Sequence, residues 1–274
     1  SYPFKMVAGE RTDHPHHTGI WINYESVNGL DFWNNSTAIP VERRWHYGTI
    51  VHTLVAGKQA TEKSANLTVY CDWIRPDKKV LLKEATTFKF LVSEKSFFIE
   101  RETKLVATDT TVVFKDVKDG MFAIRVAREL EQPSKEASKF VDDKGNITNV
   151  PPSGSEATGM YYGSTGLKGD SVWSSKGNWV MLQGKKEGKN ITIAIFDHPT
   201  NPGYPAYWHA RGYGLFAVNP LGRKVFSNGK EELNLTLKPH QEVNFKYQVL
   251  ITTEDKVTPQ DMNRFAEFYA TGKL

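Results

Sequence analysis

At 274 residues, with 39% hydrophobic and 12% aromatic side chains, the chain has core material for one large all-β domain or two ordinary ones. Its formal charge of +4 is spread along the sequence rather than gathered on one face, which argues against a nucleic-acid partner. A single cysteine, Cys71, excludes an intrachain disulfide and a cysteine-based zinc site, and no apolar run approaches the roughly 20 residues of a membrane-spanning helix.

The first informative stretch is Arg11-Thr-Asp-His-Pro-His-His-Thr-Gly-Ile-Trp21. Pro15 and Gly19 break both helical and strand periodicity, so it reads as a rigid loop presenting imidazoles to one place. An apolar strand, Ile20-Trp21-Ile22, follows at once, and Asn28-Gly29 then marks a tight turn. A strand is expected at 49–55. From there, apolar side chains alternate with polar ones at Leu67/Val69/Cys71/Trp73, Phe88/Phe90/Val92 and Phe122/Ile124/Val126. The same period recurs at Ile191/Ile193/Ile195, Leu233/Leu235/Leu237 and, most clearly, Val243/Phe245/Tyr247/Val249/Ile251. In such a pattern Cys71 and His52 read as core residues rather than site residues.

Helical signal is scarce. The spacing predicts a short helix over 133–140 and a terminal one opened by Thr258-Pro-Gln-Asp261, burying Met262, Phe265 and Phe268. The Gly/Ser/Pro-rich region 142–169 reads as a long loop within one domain. Many strands with few crossover helices point to antiparallel sheets, hence an all-β fold: a large β-sandwich with a short C-terminal helix, spanning 1–274 as one domain. The start at Ser1, without a methionine, suggests an upstream segment or signal peptide removed from this end.

Two clusters carry the candidate chemistry: Asp13, His14, His16 and His17 in the first loop, and Asp197-His198 with Tyr207-Trp208-His209-Ala210-Arg211 far along the chain. Two readings of the histidines stay open. As ligands, His14 and His16 share one face of an extended strand, and with His209 they would suit one divalent metal ion. As acid–base groups, His14, His16, His17 and His209 carry the side chain whose unperturbed pKa suits proton exchange at neutral pH, and they would be oriented by Asp13 and Asp197. Arg11 and Arg211 can grip a substrate oxyanion or sugar hydroxyls bidentately, and Trp208, Tyr207 and Trp33, with His46 among its aromatic neighbours, offer faces for a sugar ring. No Gly-x-Gly-x-x-Gly turn, phosphate loop, Gly-x-Ser-x-Gly elbow or His-Glu-x-x-His is present, so nucleotide-cofactor and serine-hydrolase chemistry are unsupported.

The histidine loop, Val27-Asn-Gly-Leu-Asp-Phe-Trp33, Phe122-Ala-Ile-Arg-Val-Ala-Arg-Glu-Leu-Glu131 and, above all, the stretch from Phe196 to Phe216 closely resemble the bacterial family labelled methane oxygenase PmoA. The likeness covers nearly the whole chain. Methane oxidation is not read from that label, because the monooxygenase subunit of that name is an integral membrane protein and this chain has no apolar segment of spanning length. What the resemblance implies is a bacterial protein encoded near sugar-degradation genes, often exported, so a periplasmic location is expected with the cytoplasm as the alternative. The closing pattern Leu237-Lys-Pro-His-Gln-Glu-Val-Asn-Phe-Lys-Tyr-Gln-Val249 is also similar to the last strands of galactose-mutarotase-like sandwiches, with Pro239-His240 where those carry Pro-Gly. That similarity implies the fold only, since no mutarotase catalytic motif matches residue by residue. The expectation is a carbohydrate-active enzyme working by histidine/carboxylate acid–base chemistry on a glycoside or sugar derivative. The alternatives are a mononuclear metal-dependent oxygenase or hydrolase using the same histidines, and a non-catalytic carbohydrate-binding module that relies on its aromatics.

Overall fold

A computed structural model describes residues 17–35, 39–142, 144, 146–153 and 156–272. In chain order the strands are β1 (Ile20–Tyr24), β2 (Thr49–Ala60), β3 (Ser64–Ile74), β4 (Val80–Val92), β5 (Ser96–Ala107), β6 (Val112–Phe114), β7 (Gly120–Arg125) and β8 (Ser138–Val141). They continue with β9 (Ile147–Val150), β10 (Met160–Gly163), β11 (Trp179–Lys186), β12 (Lys189–Asp197), β13 (Tyr207–Arg211), β14 (Leu215–Asn219), β15 (Leu235–Leu237) and β16 (Glu242–Thr252). Among the described residues there are two α-helices, α1 (Arg223–Phe226) and α2 (Pro259–Thr271), besides three short 3-10 turns.

The strands form two main antiparallel sheets, as the alternating pattern requires. The larger has eight strands in the order β10-β11-β12-β16-β5-β4-β3-β2, and the smaller has four, β1-β7-β14-β13. Tight turns let successive strands pair directly. Between β11 and β12 the two-residue turn Glu187-Gly188 has φ of 53° and 75°, the doubly left-handed geometry that matches strand twist. The predicted Asn28-Gly29 turn adopts the same geometry, with φ of 51° and 78°.

The sheets pack face to face. Ile22, Tyr24, Phe122, Ile124, Trp208, Phe216 and Val218 from the small sheet meet Tyr161, Leu182, Ile195, Phe245, Tyr247 and Val249 from the large one. Phe122 lies stacked on Tyr247 with ring centroids 4.7 Å apart. On the opposite face of the large sheet, α2 lays Met262 and Ala266 onto Trp179, Met181, Phe196 and Leu250. The helix starts as predicted: Thr258 and Asp261 exchange the reciprocal hydrogen bonds of a capping box, with Pro259 just inside.

Within the core, toward β3–β5, sits a charged network. Glu84 accepts from Trp73 Nε1 (2.8 Å), Arg101 Nη2 (3.1 Å) and Thr86 Oγ1 (2.6 Å), all buried. Each lone pair used lowers the cost of holding the carboxylate away from water.

Four local expectations are corrected. Residues 133–140 form no helix; the segment enters β8, which pairs with β9 as a hairpin. Region 142–169 is not a plain loop, because it contributes β9 and β10. His52 is exposed rather than buried, since β2 is the outer edge of the large sheet and little covers it. Phe268 is 39% exposed, while Met262 and Phe265 do pack inward as expected.

Candidate functional site

The site is built on the face of the small sheet that turns away from the large one. Side chains alternate along each strand, so the inner face takes Ile22, Phe122, Trp208 and Phe216 while the outer face takes their neighbours. Register places Trp21 opposite Ala123, Ala123 opposite Ala217, and Ala217 opposite His209. One row therefore crosses the sheet from Trp21 to His209, three strand spacings or about 14 Å, over a floor of two alanines. Trp33 packs against that floor and Leu215. The next row along pairs Arg125 with Leu215 and Leu215 with Arg211.

At the β1 edge, His17 lies flat on Trp21, with ring centroids 4.8 Å apart and planes 14° from parallel. Trp33 meets both rings edge-on, at 5.2 and 5.7 Å. Arg125 Nη2 lies 3.3 Å from His17 Nδ1. The indole N–H of Trp21 and the Asn23 amide oxygen are buried and make no hydrogen bond among the described residues.

At the β13 edge, His209 is 2% exposed. Its Nδ1 lies 3.5 Å from Asp119 Oδ1, the carboxylate just before β7, but without the alignment of a hydrogen bond. Neither imidazole nitrogen has a hydrogen-bond partner among the described residues. Burial, with the Arg211 and Lys118 charges nearby, pushes the His209 pKa down to about 3, so the ring is neutral at physiological pH. Two residues on, Arg211 rests its guanidinium on the Trp173 ring at 4.6 Å. Its Nε is buried and unbonded, as is Trp173 Nε1, and no carboxylate among the described residues pairs with it.

An unbonded buried donor costs about 1–3 kcal/mol, and native proteins keep few of them. Here His209, Arg211 and Trp173, all unbonded, sit together at one sheet edge. A ligand bearing several hydroxyl or carboxylate oxygens would satisfy these groups, because a neutral imidazole both donates and accepts while guanidinium and indole donate.

The structure thus gathers His17, Trp33, Tyr207, His209 and Arg211 on one face. Tyr207 is nevertheless occupied: its hydroxyl donates to Glu231 Oε1 at 3.1 Å and its ring stacks on Phe226. Trp208 belongs to the opposite, inner face. It is fully buried with its indole N–H donating to Gly177 O at 3.0 Å, which leaves no surface for a sugar ring. Asp197 ends β12 in the other sheet, accepting from Asn201 Nδ2 (2.7 Å) and Ala206 N (3.0 Å), and so ties down the loop into β13. Burial raises its pKa to about 7. His46 is exposed in a 3-10 turn at Val41–His46. Arg11, Asp13, His14 and His16 lie outside the described residues. Of the metal set His14, His16 and His209, the structure describes only His209, and no three His, Cys, Asp or Glu side chains converge as a metal site among the described residues.

Asp119 and Trp173 were missed in the sequence. Asp119 sits in Lys118-Asp-Gly120, which reads as an ordinary turn, and its approach to His209 spans 90 positions. No local signal carries that.

Fold and face together define an antiparallel β-sandwich with a histidine- and arginine-bearing outer sheet. Over residues 5–267 the chain matches the family described as "Family of unknown function (DUF6807)", and it belongs to that family. No curated protein matches it. Among solved structures it is similar to a galactose mutarotase related enzyme from Lactobacillus acidophilus, at 12% identity, 93% of this chain, 83% of that one and a TM-score of 0.30. A galactose mutarotase-like protein from Clostridium acetobutylicum gives 11% identity, 86% and 79% coverage and a TM-score of 0.34. The GH36 alpha-galactosidase AgaA from Geobacillus stearothermophilus gives 11% identity over 77% of this chain and 28% of that one, with a TM-score of 0.35. The chain spans little more than a quarter of that alpha-galactosidase. No helix among the described residues is long and apolar enough to cross a membrane.

Proposed function

We propose that the chain is a carbohydrate-active enzyme in which His209, paired with Asp119, moves a proton on a bound sugar derivative. One observation carries this reading: a buried, neutral imidazole with both nitrogens unbonded, facing a carboxylate at 3.5 Å. A neutral imidazole is the form able to accept a proton, and a carboxylate beside it stabilises the imidazolium that results. Arg211 Nε and the Trp173 indole N–H, both without a hydrogen bond among the described residues, would hold substrate oxygens beside it. His17, stacked on Trp21 and reached by Arg125, closes the far end of the same face.

The test is turnover of a panel of glycosides and oxidised sugars by wild type, His209→Asn and Asp119→Asn. Loss of one general base is worth about 10²–10⁴-fold in rate. The expected result is a loss of that size in His209→Asn with thermal stability nearly intact. A variant that turns over substrate normally, or that simply unfolds, would assign His209 to the scaffold instead.

A further inference from the structure

A cleft of about 620 Å³ lies just beyond Arg211 and is lined by Arg128, Gln132, Phe140, Asp170, Arg211 and Tyr213 among others. That size suits a ligand of a few rings. Two guanidiniums face it, and they are mounted alike. Arg211 lies over the Trp173 ring at 4.6 Å, and Arg128 over the Phe140 ring at 4.4 Å. Stacking fixes the plane of each fork, so little freedom remains to be lost when a ligand is gripped.

Neither fork is satisfied. Both Nε atoms are buried without a hydrogen bond among the described residues. Arg211 has no carboxylate partner among the described residues, and Arg128 has only Glu156, 75% exposed and 3.5 Å away, a contact worth little in water. Glu131, Glu136 and Asp170 also line the cleft, but among the described residues none forms an ion pair with either guanidinium, and Asp170 Oδ1 already accepts from Gln132 Nε2 at 2.7 Å. A half-buried guanidinium without a counter-charge is costly unless a ligand supplies one. A neutral sugar would hydrogen-bond to these forks but leave the charge uncompensated. A carboxylate would do both, in the bidentate geometry a guanidinium is shaped for.

We infer that the cleft binds an acidic sugar, with Arg211 gripping its ring carboxylate at the end nearest His209 and Arg128 engaging a second oxyanion or polar group further out. This rests on the carbohydrate reading above and adds the charge of the substrate. Arg211 and His209 stand two residues apart on one strand face, about 7 Å between Cα atoms. A carboxylate held at Arg211 therefore lies two residues along the strand from His209, which is buried beside the cleft rather than lining it.

The experiment is calorimetric titration of the whole chain with paired trisaccharides, each uronate-containing member set beside its uncharged counterpart, and with acetate as a carboxylate without a ring. Wild type should bind at least one acidic member tenfold or more tighter than its neutral pair. Arg211→Gln should erase that preference while its melting temperature stays within a few degrees of wild type. Arg211→Lys, which keeps the charge and loses the fork, should retain part of it and covers the case in which the glutamine variant fails to fold. Equal binding of acidic and neutral members would overturn this inference and leave the carbohydrate reading standing. Acetate binding as tightly as the acidic trisaccharides would overturn it in favour of a plain anion site. Binding by no member of either kind would overturn it together with the sugar reading.

Discussion

Replacing His209 by asparagine should change how stability depends on pH, and the size of the change follows from two buried groups that oppose each other. His209 titrates near 6.5 in an unfolded chain and at about 3 in the fold. Below pH 6.5 the unfolded state therefore binds a proton that the native state refuses, and stability falls as pH falls. Asp197 shows the converse. Its carboxyl titrates near 3.8 unfolded and at about 7 folded, so the native state keeps a proton the unfolded state releases. Its contribution is complete below 3.8 and is lost as pH rises toward 7. Each group alone gives a slope of up to about 1.4 kcal/mol per pH unit, of opposite sign, between about pH 4.5 and 6. In wild type the two slopes cancel. His209→Asn removes one of them, so its stability relative to wild type should improve as pH drops, by about 2 kcal/mol across that window. Asp197→Asn should do the reverse. Urea unfolding at several pH values, with constant m-values as the check on two-state behaviour, reads both differences, and titrating groups remote from the substitution cancel in the comparison. A difference between wild type and His209→Asn that stays constant with pH would refute the reasoning. It would mean that Asp119 keeps the folded imidazole protonated, and the neutral base on which the proposed chemistry depends would be lost.

Two further outcomes are expected. Arg101→Met leaves the Glu84 carboxylate buried with only Trp73 and Thr86 as donors, and should cost about 3–5 kcal/mol in urea unfolding; adding Glu84→Gln should recover part of it, whereas a single-variant cost below about 1 kcal/mol would contradict the buried pair. Gly159→Ala would set a Cβ 2.0 Å from the Leu130 carbonyl oxygen, which is backbone and cannot swing aside, so thermal unfolding should show a loss of about 1–3 kcal/mol or more, and an unchanged melting temperature would place that segment elsewhere.

Much of this protein is local, and local information lies open in the sequence. A side-chain period of two in Val243-Asn-Phe-Lys-Tyr-Gln-Val249 can only be a strand with one face buried, and β16 holds Val243, Phe245, Tyr247 and Val249 inward as that period demands. The Asn28-Gly29 turn and the Thr258–Asp261 capping box are equally short-range, set by backbone sterics and by hydrogen bonds within four residues. Alternation along β13 sends Trp208 and His209 to opposite faces, although the expectation from sequence places both in one site. It left open which of the two faces was the core, because the small sheet is covered on both sides and Tyr207, Trp208, His209 and Ala210 are all buried. Only the packing of that sheet against the large one turned Trp208 inward and left His209 on the outer face.

The same limit explains Asp119 and Asp197. Asp197 was recognisable as a strand-end carboxylate, but the strand belongs to the other sheet and its oxygens hold a loop. Asp119 had no distinguishing neighbourhood, yet the order β7-β14-β13 sets it beside His209. Strand order and register depend on how the whole hydrophobic surface is best buried, which sums contacts across the chain and is written in no short stretch of it. What a strand is can be read from its own residues; what it faces is decided by every other strand.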